Sequence, residues 1–229
     1  MKLAILQSNY IPWKGYFDLI NSVDVFIFYD EVQYTKNDWR NRNKIYTKNG
    51  EQWLTIPVAA SAVKGKISEV VLQPENWQQQ HFKSLQLGYK SAPYYSQLEE
   101  LINDFLVEKK WTSLKELNQY LIKKIAASIG IKTKFEDATQ YDLTGDRVSR
   151  LLNLILQSGA TTYITGPSAH DYLKDHENLF REKNIELIYK SYPTYKSYKQ
   201  LHKPFLNAVS IVDMIANLRY DEILNYIRP

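Results

Sequence analysis

The chain of 229 residues carries a formal net charge of +4, and 44% of its residues are hydrophobic and 24% charged, proportions that are ordinary for a globular protein. The absence of cysteine excludes disulfides, thiolate nucleophiles and cysteine metal sites. No apolar run approaches the roughly 20 residues that span a bilayer, and the first residues are too short an apolar stretch for a signal peptide. We therefore expect a cytoplasmic protein with no membrane partner.

A loop rich in functional groups follows the first predicted strand. Leu3–Gln7 and Val25–Tyr29 are predicted strands, and apolar residues at helical spacing in residues 16–23 predict a helix between them. The polar and aromatic residues that follow the two strands are Gln7, Asn9, Tyr10, Trp13, Asp30, Gln33, Tyr34 and Trp39. In an open α/β sheet, ligands bind beyond the carboxyl ends of the strands, so this is the leading candidate site. For each residue alone, a structural role in a core or a turn stays open.

A β-hairpin is predicted next. Asn49-Gly50 separates the strand-like segments Lys44–Thr47 and Gln52–Val58. Arg40 and Arg42 alternate in the extended region before it, so both side chains should project the same way. They are interpreted either as a forked donor pair for phosphate or carboxylate, or as a solvated strand face.

A helical insertion is predicted over residues 74–130, within an α/β core domain made of residues 1–73 and 131–229. The third helix of the insertion should begin at Ser113, which forms a capping box with Glu116, and should end at Gly130. His81 lies in the first of these helices, where a lone histidine is more often structural than catalytic.

The α/β alternation then resumes. The predicted elements are the strand Ile131–Phe135, the helix Thr144–Ser158, the strand Thr161–Thr165, the strand Ile185–Tyr192 and helices at Ser210–Leu218 and 221–227. After the strand Thr161–Thr165 comes Gly166-Pro167-Ser168, where Ser168 and Asp171 fit a capping box. The same turn presents free backbone N–H groups to an anion, and His170 would lie near it.

Tyrosine and lysine alternate in residues 189–205, which are interpreted as a lid over the crevice or as an arm that binds nucleic acid. The 18 tyrosines of the chain suit stacking on a base or a sugar, and equally a core or a homodimer interface.

The opening loop contains Gln7, Tyr10, Pro12, Trp13, Gly15, Tyr16 and Phe17 in the pattern Gln-x-x-Tyr-x-Pro-Trp-x-Gly-Tyr-Phe. Further characteristic residues are Asp24, Asp30, Gln33, Tyr34, Trp39, Arg40, Asn41, Arg42, Asn43, Trp77, His81, Gly166, Pro167, Ser168, Asp171, Tyr172, Leu173, Ser210 and Asp213. In these residues the chain resembles the WbqC-like family, whose members are associated with bacterial surface-polysaccharide (O-antigen) gene clusters. The tail departs from the family pattern, because Tyr195-Lys196 stands where His-Pro is expected.

The order of elements is similar to that of nucleotidylyl transferases and pantothenate synthetases. The resemblance implies an α/β fold with a mostly parallel sheet of the nucleotidylyl-transferase (HUP-like) type, a β-hairpin and an inserted helical subdomain. Trp13-Lys14-Gly15-Tyr16 occupies the place of the His-x-Gly-His signature without either histidine. Adenylation by the imidazole route is therefore not expected.

The resulting hypothesis is a transferase that forms an amide by acyl or aminoacyl transfer to a nucleotide-linked amino sugar. The predicted catalytic residues are Asp30 or His81 as base, and Asn9 and Gln33 as amide donors. The predicted substrate-binding residues are Gln7, Tyr10, Trp13, Lys14, Tyr34, Trp39, Arg40, Asn41, Arg42, Gly166, Pro167, Ser168 and His170. Two alternatives stay open: an ATP-dependent ligase or nucleotidyl transferase on the same scaffold, and a non-catalytic module that binds sugar or nucleic acid.

The expected partner is a nucleotide sugar or another phosphate-bearing small molecule. The candidate cofactors are ATP, or an acyl donor such as acyl-CoA or acyl carrier protein, and none of them is required by the sequence. The polar residues cluster at strand ends instead of forming a basic stripe, so nucleic acid is not expected to bind. The four histidines lack ligand spacing, and no metal site is predicted, although Asp30 and Asp171 could share Mg²⁺ with a diphosphate.

Overall fold

A five-stranded parallel sheet forms the centre of the protein, and the computed structural model describes residues 1–192 and 194–228. The strands are β1 (Lys2–Leu6), β2 (Val25–Phe28), β3 (Arg42–Thr47), β4 (Gly50–Thr55), β5 (Lys134–Asp137), β6 (Thr162–Thr165) and β7 (Glu186–Tyr189). The sheet has the order β5-β2-β1-β6-β7, and β3 and β4 form a separate antiparallel hairpin with Lys48 and Asn49 at its turn. The connection after β1 leads to β2 and β5 on one side of it, and the chain then crosses to form β6 and β7 on the other side. The gap between β1 and β6 is therefore a topological switch point.

Helices cover both faces of the sheet. They are α1 (Lys14–Asn21), α2 (Trp77–Tyr89), α3 (Tyr95–Asn103), α4 (Leu114–Ser128), α5 (Arg147–Ser158), α6 (His170–Leu173), α7 (Glu177–Glu182), α8 (Val212–Asn217) and α9 (Tyr220–Ile227). Alternate strand residues point to opposite faces: Leu3 and Ile5 pack with α5 and α7, whereas Ala4 and Phe26 pack with α1, α4 and α9. The mixed α/β fold with a parallel sheet, predicted from the sequence, is confirmed.

The helices α2, α3 and α4 occupy the position of the predicted insertion, between the hairpin and β5. Their apolar side chains, among them Leu85, Leu101 and Leu121, join the same core as Phe26 and Ile215. Within residues 1–192 and 194–228, no helix is both long enough and apolar enough to cross a membrane.

Several boundaries of the predicted strands and helices differ from those in the structure, and two of the differences have a clear local cause. Ile131 does not start a strand, because Gly130 has a φ of 84° and the N–H of Ile131 donates to the oxygen of Ala126 at 2.9 Å. This is the Schellman end of α4, and its apolar residue resembles a strand start in sequence.

The predicted capping box of Ser168 and Asp171 is wrong, since a 3₁₀ turn at Pro167–Ala169 follows Gly166 without a side-chain cap. The N-cap at Ser113 is confirmed, because its Oγ accepts the N–H of Glu116 at 3.3 Å.

The strap, defined as residues 190–192 and 194–209, connects β7 to α8 without helix or strand. Asp18 of α1 holds its start, because one carboxylate oxygen lies 3.0 Å from Lys190 Nζ and the other accepts the hydroxyl of Tyr195 at 2.7 Å. Farther along, Tyr46 of the hairpin donates to the oxygen of Pro204 at 2.7 Å. The strap is therefore bonded to both the sheet side and the hairpin side of the molecule.

Candidate functional site

A cleft of about 1220 Å³ lies at the carboxyl ends of β1, β2 and β6. Gln7 follows β1, Tyr29 follows β2, and Gly166 follows β6, so three consecutive strand ends form its floor. Ser168, in the 3₁₀ turn after β6, and Tyr192, in the strap, line its sides. This is the edge of a doubly wound sheet at which ligands bind.

Basic side chains outnumber acidic ones around the cleft. The basic residues are Arg40, Lys64, Lys66, Arg147 and Arg150, and the acidic residues are Glu31 and Glu69. Glu31 is already paired with Lys66 at 3.1 Å, and a carboxylate oxygen of Glu69 accepts the backbone N–H of Lys66 at 2.9 Å. Arg40 is paired with Asp38 at 3.7 Å, so Arg147 and Arg150 contribute most of the surplus of positive charge, which favours an anion.

Two arginines come from the first turns of α5. Asp146 caps this helix by accepting the N–H groups of Val148 and Ser149, which fixes where the helix begins. Arg147 and Arg150 are three residues apart and so share one helix face. The Arg147 guanidinium lies 3.6 Å from the centre of the Tyr172 ring, and Arg150 Nη2 donates to the oxygen of Gly145 at 3.0 Å.

Arg40 connects the opening loop to the cleft. Its Nη2 donates to Gln7 Oε1 at 3.2 Å, and its Nη1 donates to Asn9 Oδ1. Arg42 lies elsewhere: it donates to the oxygen of Asn37 and stacks on Trp53, 4.3 Å from the ring centre. The prediction that the two arginines project together is wrong, because residues 36–41 form turns and the strand begins only at Arg42.

Asp30 lies next to the cleft but is enclosed. The residue is 1% exposed. Its Oδ1 accepts the N–H of Ser8 at 2.8 Å, and its Oδ2 accepts a hydrogen bond from Gln119 Nε2 at 3.0 Å. Burial raises the pKa of Asp30, and the bonds from Gln119 and Ser8 oppose that rise. The carboxylate thus joins the loop after β1 to the segment after β2 and to α4.

His81 is buried on α2, between the loop and the hairpin. Its Nδ1 lies 2.9 Å from the hydroxyl of Tyr10, and its Nε2 lies 3.2 Å from the oxygen of Thr55. Burial lowers the pKa of His81 to about 4, so the ring is neutral at neutral pH. A carbonyl only accepts, hence Nε2–H donates to Thr55 and Nδ1 accepts the hydroxyl of Tyr10.

Lys14 is enclosed by the strap. Its Nζ lies 5.1 Å from the ring centre of Tyr195, 5.7 Å from that of Tyr198 and 5.4 Å from that of Phe205. Burial lowers the pKa of Lys14 to about 8, opposed by the charge of Asp213. Asp213 in turn accepts the hydroxyl of Tyr198 at 2.6 Å. The ammonium therefore holds aromatic residues of the strap by cation–π attraction.

Comparison with known proteins places the chain in a family. The model of the WbqC-like protein family matches residues 7–224. The chain belongs to this family. A protein of Mycobacterium tuberculosis (strain ATCC 25618 / H37Rv), named "Uncharacterized protein Rv1507c", is 42% identical over 221 residues, which cover 95% of this chain and 94% of that one. No solved structure matches.

The structure of this WbqC-like protein divides the predicted site residues into three groups. Those that line the cleft are Gln7, Gln33, Arg40, Gly166, Pro167 and Ser168. Those that line a second, smaller cavity are Asn9, Trp13 and Trp39. Those that line neither are Tyr10, Lys14, Asp30, Tyr34, Asn41, Arg42, His81 and His170.

Within this third group, Tyr34 and Asn41 are buried. Asn41 donates to the oxygen of Ile56 at 2.8 Å, and His170 is exposed beside Tyr189, with 5.1 Å between the ring centres.

Sequence reasoning missed the arginines of α5 in this WbqC-like protein. The available signal was the i, i+3 spacing of Arg147 and Arg150 in the first turns of a predicted helix. In the described parts of the chain, 1–192 and 194–228, no group of three or more His, Asp or Glu side chains is placed to hold a metal ion. The oxygens of Asp30 are occupied by protein donors.

Proposed function

We propose that this WbqC-like protein binds a nucleotide-linked amino sugar in the cleft and transfers an acyl or aminoacyl group to the sugar amine. In this proposal it acts in surface-polysaccharide (O-antigen) biosynthesis. The observation that carries the proposal is the surplus of arginine at the switch point of a parallel sheet. Forked guanidinium groups at such a position suit a diphosphate, because each can form two charge-assisted hydrogen bonds.

Tyrosines give the cleft surfaces for the remainder of the ligand. Tyr29, Tyr172 and Tyr192 are all partly exposed and line the cleft. An aromatic ring with a hydroxyl can stack on a base or on the apolar face of a sugar and also donate a hydrogen bond. Arginines and tyrosines together therefore suit the two chemically different parts of a nucleotide sugar.

The transfer step requires that the sugar ammonium lose a proton. Its nitrogen then attacks the carbonyl carbon of an acyl thioester, the N–C bond forms, the C–S bond breaks, and the thiol leaves with a proton. Asp30 and His81 do not line the cleft, so we assign proton removal to its carboxylates, Glu31 and Glu69. Asp30 acts instead as a positioning residue, since it holds the N–H of Ser8.

An ATP-dependent ligase or nucleotidyl transferase is the second candidate. It is favoured by the strand order, which reverses at β1 as in sheets that bind nucleotides at this edge. Such an enzyme would activate an acid with ATP and release pyrophosphate, without needing a thioester.

The two candidates differ in the product that is released. We would incubate the protein with a nucleotide-linked amino sugar and an acyl thioester, and follow free thiol with a thiol reagent. The chain has no cysteine, so it contributes no background. Arg150→Gln should slow thiol release at low sugar concentration by about tenfold or more, as expected for one lost charge-assisted contact, whereas Arg181→Gln, outside the cleft, should not.

Binding of the nucleotide sugar without thiol release would contradict the transferase proposal. Pyrophosphate release from ATP in the presence of an acid would support the second candidate instead.

A further inference from the structure

A second cavity of about 300 Å³ lies on the other side of the opening loop. It is lined by Asn9, Pro12, Trp13, Trp39, Asn43 and Ala208. Two indole rings, a proline and an alanine make most of this wall apolar. Two of its lining residues reach solvent, because Trp39 is 44% exposed and Ala208 is also exposed.

Single side chains separate this cavity from the cleft. Arg40 donates to Gln7, which lines the cleft, and to Asn9, which lines the cavity. At the same boundary, the Trp13 ring lies edge-on to Tyr192, with 5.3 Å between the ring centres, and Tyr192 lines the cleft. A group held in the cavity and a group held in the cleft are therefore neighbours across Arg40 and Asn9.

Hydrogen bonds within the protein hold the polar side chains of the cavity in place. Asn43 Nδ2 donates to the oxygens of Tyr10 and Ile11 at 3.0 and 2.9 Å, and its Oδ1 accepts the N–H of Lys44 at 2.8 Å. Asn9 uses its Oδ1 to accept from Arg40. In the described part of the chain its Nδ2 donates to no acceptor, so that its hydrogens are available to a carbonyl oxygen beside an apolar wall.

We propose that this cavity binds the acyl or aminoacyl group of the thioester donor, with the carbonyl oxygen at Asn9 Nδ2. This inference rests on the proposed function, whose donor it specifies. At about 30 Å³ for each water-sized group, the cavity holds about ten non-hydrogen atoms, which selects a short acyl group over a long fatty acyl chain. The deprotonated amine in the cleft attacks the carbonyl carbon, the N–C bond forms, the C–S bond breaks, and the thiol leaves with a proton to solvent at the exposed residues of the cavity.

The test measures binding of a series of acyl thioesters of N-acetylcysteamine: acetyl, butyryl, octanoyl and dodecanoyl. Because Trp13 and Trp39 form two walls, bound thioester should change the intrinsic tryptophan fluorescence of the whole chain. We expect the acetyl, butyryl and octanoyl thioesters to bind, and the dodecanoyl thioester to bind at least tenfold more weakly than the butyryl thioester. Equal affinity along the series, or affinity that rises with chain length, would overturn the proposal.

A filled cavity is the second arm of the test. Ala208→Phe, or Ala208→Val if the larger side chain disturbs folding, should weaken binding of the butyryl thioester at least tenfold. The control variant Asn207→Phe, at the neighbouring exposed position, should leave this affinity unchanged. A thioester affinity that Ala208 variants leave unchanged would overturn the proposal.

Binding of uridine diphosphate is measured in the same variants. If the nucleotide fails to bind while the thioester binds and depends on Ala208, the proposed nucleotide-sugar function fails and the assignment of the cavity stands. Nucleotide binding without any thioester binding is the reverse outcome: the cavity assignment fails, and the proposal for the cleft stands.

Discussion

The polar residues around the opening loop fall into two regions with opposite surroundings. Gln7 and Arg40 line the cleft and are partly exposed. Asp30, His81 and Lys14 are enclosed, and protein groups surround their functional atoms. Polar and charged residues that look alike in the sequence thus line an open cleft in one region and are packed inside the protein in the other. The enclosed residues should control stability and its pH dependence, and the cleft residues should control ligand affinity.

The largest effect is expected at Asp30. Asp30→Ala removes two hydrogen bonds to a buried carboxylate, and at roughly 2 kcal/mol for each charge-assisted bond the free energy of unfolding should fall by about 4 kcal/mol. Urea denaturation measures this change. Asp171→Ala, at an exposed position, should alter it by no more than about 0.5 kcal/mol. An Asp30→Ala protein that keeps its stability but loses ligand binding would show that Asp30 belongs to the residues that bind the ligand.

A pH-dependent effect is expected at His81. Its pKa is about 4 in the folded protein, against 6.5 for an unperturbed histidine, so the unfolded chain takes up a proton between these values while the folded protein does not. Stability should therefore fall as pH falls through this window, by about 3 kcal/mol from this residue alone. His81→Phe should be less stable than the wild type at neutral pH, and the gap should close toward pH 4. Parallel stability curves would mean that folding leaves the pKa of His81 unchanged, which would contradict the burial of its ring.

The smallest of these effects is expected at Lys14. Below its folded pKa of about 8, the folded protein keeps a desolvated charge, which cation–π contacts offset only in part. Lys14→Met should therefore be more stable than the wild type at neutral pH, on the order of 1 kcal/mol. Between about pH 8 and 10.5, Lys14 is protonated in the unfolded chain but not in the folded protein, so the wild type gains stability as pH rises. The advantage of Lys14→Met should therefore shrink in this window. Lys83→Met, at an exposed site, provides the control; a Lys14→Met protein less stable than the wild type would show that the cation–π contacts outweigh desolvation.

Local signals predicted much of the fold. Asn49-Gly50 marks the hairpin turn, and Ser113 caps α4, because both depend on residues close in sequence. The convergence of strand ends on one cleft followed from the parallel order of β1 and β2. Ile131 was assigned wrongly, since the apolar residue of a Schellman end has the same pattern as a strand start.

The division between cleft and enclosed residues could not be predicted. Whether Lys14 meets solvent depends on the strap, which returns to it from residues 195–205, far along the chain. Arg150 reaches the cleft only because α5 packs on the sheet beside β1 and β6. The burial of Lys14 and the position of Arg150 both depend on packing between residues far apart in the sequence. The residues next to them in the sequence do not indicate this packing.

The central claim is that the cleft residues bind the ligand and the enclosed residues do not. Isothermal titration calorimetry with uridine diphosphate tests it most directly, because the affinity for one ligand is measured in a variant of each region. We predict that Arg150→Gln weakens binding by about tenfold or more, the loss expected for one charge-assisted contact, while Lys14→Met leaves the dissociation constant unchanged. Equal binding by the wild type and Arg150→Gln, together with a loss of binding in Lys14→Met, would contradict the assignment of the cleft as the nucleotide site.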